Sequence, residues 1–175
     1  MAALVTRKKA QNLGADEIRV LVNAFLRLKK EGRYDQYVHA HHAVMKPAIH
    51  SYEPRDPDYR NGAHRGPAFG PWHREFLLQV ESDLRSIDSA LSIPYWDWTE
   101  DAALPDPTKS VIWRDDFLGG NGVEAQEWQV ETGAFAFKNG KWPIAKELDG
   151  PALRRQFGGT LPTLPTTRGF AARDE

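Results

Sequence analysis

Six histidines and no cysteine set the range of chemistry open to this chain: His39, His41, His42, His50, His64 and His73. Without a thiol there is no disulfide, no thiolate metal ligand and no cysteine nucleophile, so any metal site must be built from His, Asp or Glu. The last two histidines stand nine positions apart in "HRGPAFGPWHREFL". A straight helix turns ~100° per residue and would put them on opposite faces. Gly66-Pro67 and Gly70-Pro71 argue against such a helix, and Pro71 suits the first turn of a new one. The reading is a loop histidine, His64, followed by His73 in the first turn of a helix. The loop can then fold one imidazole back toward the other.

Elements must position these rings. Asp16 is a candidate N-cap for a first helix, in which Ile18, Leu21, Val22, Phe25 and Leu28 recur at three- and four-residue steps until Gly32 stops the run. A second helix is expected from near Tyr34, with Tyr34, Tyr37, Val38, His41 and Met45 on one face and Pro47 near its end. On that pattern His41 faces inward, His39 points elsewhere and His42 lies at the edge of the stripe. Residues 51–63 read as an irregular surface loop. A third helix is expected from about Pro71 to about Asp88, with His73, Phe76, Leu77, Val80, Leu84 and Ile87 as its buried stripe.

Elsewhere the pattern is weaker. Residues 2–9 suit a short edge strand or an arm, and "LSIPYWDWTED" a short extended or turn segment. There Tyr95, Trp96 and Trp98 are expected to pack on the helix pair. Asp97 is expected to be a buried acid that supports the site or caps a helix. "LPDPTKS", "LGGNG", "NGKWP" and "GGTLPTLPTT" then mark a long, loop-dominated half without repeats or low-complexity tracts.

A lone histidine is usually a surface group or a satisfied core residue. A buried imidazole, however, needs a partner for each nitrogen, which a metal on one and an acceptor on the other supply. Two helices with one inward histidine each, plus a loop histidine, make a three-imidazole site that suits copper, zinc, iron or nickel. The residues alone leave zinc and copper level. A structural zinc site takes four protein ligands, so three neutral imidazoles with an open position point to small-molecule chemistry.

The 175 residues suit one domain, 1–175, with one core. At 41% hydrophobic and 27% charged the composition is that of an ordinary globular chain. A net charge of -1 gives no footprint for nucleic acid, and no run of 18 apolar residues spans a membrane. "MAALVTRKKAQ" lacks the apolar core of a signal peptide, so the expectation is a cytoplasmic protein, with export alongside a partner left open.

Taken together, "YDQYVHAHH", "HRGPAFGPWHREFLLQVE", "IPYWDW" and "FLGGNG" resemble, in order and spacing, the N-terminal half of a bacterial tyrosinase, a type 3 copper protein. The resemblance implies a mainly α fold: half of a type 3 copper four-helix bundle, with the second and third helices antiparallel, long irregular loops and few short strands. It implies a first copper held by His41, His64 and His73. The activity it implies is oxidation of phenols to ortho-quinones by dioxygen, both o-hydroxylation of monophenols and oxidation of catechols, as in melanin formation. A catechol or ortho-aminophenol oxidase without hydroxylation, or a haemocyanin-like dioxygen carrier, are the alternatives. Gly70 departs from the pattern, standing where such enzymes often carry a larger apolar residue.

The family holds a second copper with three more histidines, and none follows His73 here. The expectation is a first-copper half that holds one of two ions, completed by a companion C-terminal half. A copper-delivering caddie protein is a further partner compatible with the resemblance. On this reading residues 1–175 alone do not oxidise phenols.

Overall fold

The computed structural model describes residues 6–44, 63–64, 66–137, 142–144 and 152–157. The described residues are mainly helical and contain no strand, only isolated bridges that pair Lys9 with Tyr95, Val123 with Gln129, and Gln129 with Arg154. None of their helices is long and apolar enough to cross a membrane. The chain falls into two compact units, one of Met1–Arg7 and Arg27–Ile93, the other of Lys8–Leu26 and Pro94–Glu175.

Helix α1 spans Ala15–Lys30 and contributes residues to both units. Asp16, expected as its N-cap, instead lies inside the first turn. The cap position falls to Gly14, whose amide donates to Glu17 Oε2 at 3.0 Å, so the carboxylate reaches back to satisfy an end group of the helix. Gly32 ends the run as expected. Its φ of +73° is a left-handed conformation that costs glycine nothing, and its amide donates to the Lys29 carbonyl at 3.0 Å. Ile18, Leu21, Val22, Ala24 and Leu28 are buried on one stripe.

The first unit is built on α2, Arg33–Val44, and α3, Phe69–Ile87. Their contacts run in opposite senses. Arg33 and Tyr37 reach Asp83, while His41 lies against Trp72 and His73, so the two helices are antiparallel as expected. Met45, Pro47 and residues 51–62 lie outside the described residues. Ala63, read from sequence as the end of a surface loop, is fully buried.

Helix α3 begins two residues before the expected Pro71. The first four amides of a helix have no acceptor within it, so Pro71 at the third position removes no hydrogen bond. The Phe69 amide donates to the Gly66 carbonyl at 3.1 Å, and the Trp72 amide to that of Ala68 at 2.9 Å, which closes the entry. His73 therefore sits in the second turn, not the first. Within the expected stripe Val80 and Leu84 are buried, but Leu77 is 38% exposed. Glu81 is buried instead, because its carboxylate is fully engaged: Arg7 Nε donates at 3.0 Å and the Ile93 amide at 2.9 Å.

In the second unit Asp97 caps the short helix α4, Trp98–Ala102, and accepts the Glu100 amide and the Thr99 hydroxyl. It is only partly covered; the buried acid is Asp101, which receives the Trp96 indole N–H at 2.6 Å and the Gln11 side-chain amide at 3.2 Å. Tyr95 and Trp98, expected to pack on the helix pair, are about half exposed, and Trp96 packs edge-on to Trp113 in the second unit instead. Beyond α4 the described chain holds only single 3-10 turns, in keeping with the loop-rich reading. Arg155 ties them together through Nη1, which donates to the carbonyls of Leu118, Gly119 and Gly120. At Gly122 a Cβ would stand 1.8 Å from the Trp128 carbonyl oxygen, so only glycine lets these two backbones approach.

Candidate metal centre

Three of the six histidines converge in the first unit. His41 comes from α2, His64 from the bend anchored by buried Ala63, and His73 from α3. One nitrogen from each ring lies within 4.8 Å of the others. Ring centroids are 5.0 Å apart for His41 and His64, 4.9 Å for His64 and His73, and 5.7 Å for His41 and His73. His39 and His42 stand outside the cluster; His50 lies outside the described residues. His41 rather than His42 thus lies beside His64 and His73.

The second nitrogen of His73 is accounted for. Its Nδ1 is 2.8 Å from the Phe69 carbonyl oxygen. A carbonyl only accepts, so Nδ1 carries the proton, and in the neutral ring Nε2 keeps the lone pair that a metal needs. The early start of α3 makes this possible, because it places Phe69 one turn before His73. Sequence reading passed over Phe69; its spacing of four from a helical histidine was the available signal.

Aromatic rings wall the cluster. Phe69 lies 4.3 Å and Trp72 4.9 Å from the His73 ring, and Trp72 and Phe76 stack on each other at 5.0 Å. Trp72 and Phe76 also approach His41, at 5.7 and 5.9 Å. The departure at Gly70 leaves open space: a Cβ there would meet nothing within 4 Å.

Burial pushes the His41 imidazole below its ordinary pKa, and the His64 and His73 rings add to the shift. His64 is lowered by burial first and then by His73. Crowded, partly covered imidazoles resist protonation, and the neutral ring is the form that binds a metal. The donor set is all imidazole nitrogen with no carboxylate, which fits a first-row metal such as copper, with a coordination position left for a small molecule.

A helix pair and an adjoining bend that gather three imidazoles define a helical protein with a histidine site able to hold a metal ion. The common central domain of tyrosinase matches residues 31–169, and the chain belongs to that family, which implies copper. It is 42% identical over 164 residues to the tyrosinase of Streptomyces antibioticus, covering 93% of this chain and 56% of that protein. It is 36% identical over 176 residues to the grixazone synthase of Streptomyces griseus, covering 91% and 55%. Hemocyanin 2 of Megathura crenulata is 38% identical over 100 residues, 57% of this chain and 3% of that protein. The chain spans about half the length of the tyrosinases it matches.

Proposed function

We propose that this chain supplies the first copper site of a phenol-oxidising centre, with His41, His64 and His73 as the ligands. The observation that carries the reading is the approach of three imidazole nitrogens to within 4.8 Å of one another in a member of the tyrosinase family. Bound copper would supply the redox chemistry with dioxygen. The chain's own residues hold His73 in one tautomer through the Phe69 carbonyl, disfavour protonation of His41 and His64 by burial and then by the neighbouring rings, and line the site with Trp72 and Phe76.

The complete centre, in this proposal, has two copper ions. The second is held by three histidines on a segment outside these 175 residues, in the same polypeptide or in a companion. Two observations support this: the greater length of the relatives, and the apolar side chains of Phe69, Leu77 and Leu78 that α3 leaves exposed. The copper-delivering caddie protein expected from the resemblance belongs to the same proposal, as the route of loading.

The test is oxygen uptake with L-DOPA and L-tyrosine by copper-loaded residues 1–175, alone and with the completing segment. Turnover is expected only with the segment present. Clear turnover by residues 1–175 alone would overturn the two-site reading. The alternative of an oxidase without hydroxylation adds an ortho-aminophenol to the assay. Oxidation of it and of L-DOPA, without L-tyrosine hydroxylation, would assign the narrower oxidase. Reversible dioxygen binding without turnover would assign a carrier, the reading favoured by the haemocyanin match.

A further inference from the structure

Helices α2 and α3 are fastened by a polar bridge whose residues stand one to about three turns from the histidines on the same helices. Asp83 on α3 accepts from two residues of α2: Tyr37 Oη donates to Oδ2 at 2.8 Å, and the Arg33 guanidinium to Oδ1. Arg33 Nη1 and Nη2 also donate to Ser86 Oγ at 3.2 Å, and that hydroxyl in turn donates to the Asp83 carbonyl at 2.6 Å. The bridge is therefore braced at three points on α3. It continues toward the site through rings. Tyr37 meets Phe76 edge-on at 5.6 Å, and Phe76 lies 5.9 Å from His41, one turn beyond Tyr37 on α2.

We infer that Arg33, Tyr37 and Asp83 are positioning residues for the metal centre, fixing the rotation and slide of α2 on α3 and so the place at which His41 presents its nitrogen to His64 and His73. The physical case is leverage. His41 is the one ligand on α2, whereas His73 stands on α3 and has its own brace in the Phe69 carbonyl. A one-residue slip of α2 moves a side chain by about 1.5 Å along the axis and ~100° around it, which is enough to remove His41 from the cluster. The Asp83 bridge opposes that slip. Burial and the Asp83 carboxylate push the Tyr37 phenol up to about 12, so it remains a donor at any physiological pH.

The inference rests on the three-histidine reading, and the experiment separates the two. Cu(I) affinity is measured on the full chain by competition with a coloured chelator, for wild type, Tyr37→Phe and Asp83→Asn, each also in His41→Ala and His64→Ala backgrounds. Far-UV circular dichroism confirms folding. His41→Ala and His64→Ala alone should each weaken Cu(I) binding strongly; if neither does, the metal reading fails first. Tyr37→Phe, which keeps the ring and loses only the hydroxyl, is expected to weaken binding by about tenfold in wild type and in His64→Ala. In the His41→Ala background it is expected to change nothing. Asp83→Asn should follow the same pattern. Equal losses in both backgrounds, or no loss in wild type, would overturn the positioning role, because a bridge that only stabilises the fold has no reason to act through His41.

Discussion

The two units differ in what several of their polar side chains serve. In the second, a set of them is turned on the chain's own backbone: Asp97 caps α4, Asp106 accepts the Thr108 amide, Ser110 that of Ile112, and Arg155 serves three carbonyls. Those bonds serve backbone groups where, beyond α4, the described chain holds only single 3-10 turns. In the first unit regular helices satisfy the backbone, so side chains are released for each other. Three imidazoles turn a nitrogen toward one point, and Arg33, Tyr37 and Asp83 brace the helices that carry them. A polar group whose capacity is absorbed by nearby backbone holds the fold; polar groups that converge on one point mark a site.

That contrast predicts separable effects. The largest is expected for His73→Ala, which should remove most of the copper bound to the first site, with His39→Ala and His42→Ala unchanged. Metal analysis of the purified variants measures this, and full copper in His73→Ala would dissolve the distinction between the two units. Next comes Gly122→Ala, where a methyl would meet the Trp128 carbonyl oxygen. A loss of roughly 3–5 kcal/mol in unfolding free energy is expected. Arg155→Ala should cost about 2–4 kcal/mol by leaving carbonyls of the Leu118–Gly120 turn without their donor, while Cu(I) affinity stays within about twofold of wild type. Chemical denaturation and chelator competition on the same sample check both halves of that statement.

The smallest effect is a pH slope. His41 and His64 have folded values below the ordinary 6.5. Between the folded and unfolded values the unfolded chain holds more protons, so stability rises with pH there. Their contribution is present above 6.5 and is lost as pH falls below it toward the folded values. Melting of the metal-free chain from about pH 5 to about pH 7.5 should show that slope, and His41→Gln should flatten it. An unchanged slope in the variant would detach the titration from the cluster.

Much of the site was legible because it obeys local rules. The three- and four-residue spacing of Tyr34, Tyr37 and Val38 before His41 singled it out over its neighbour His42, and the Gly-Pro pairs marked where the helix could not continue back to His64. The errors came where a local signal had a second solution. Pro71 is compatible with any position in a first turn, so it did not fix the start of α3, and the Phe69 carbonyl under His73 went unseen.

The sequence by itself determined the long helices to within a few residues of their ends, since backbone geometry repeats every ~3.6 residues whatever lies nearby. It also narrowed the donors, because with no cysteine a metal site had only His, Asp and Glu to draw on. Tertiary structure alone decided which distant groups meet. Glu81 is buried because Arg7 arrives from 74 positions away, Asp101 rather than Asp97 is the covered acid because Gln11 and Trp96 close on it, and Asp83 finds Arg33 and Tyr37 across 50 and 46 positions. A charged side chain reads as surface from its own neighbours along the chain. Only partners that neutralise it or donate hydrogen bonds to it, brought near by the packing of other elements, make its burial favourable.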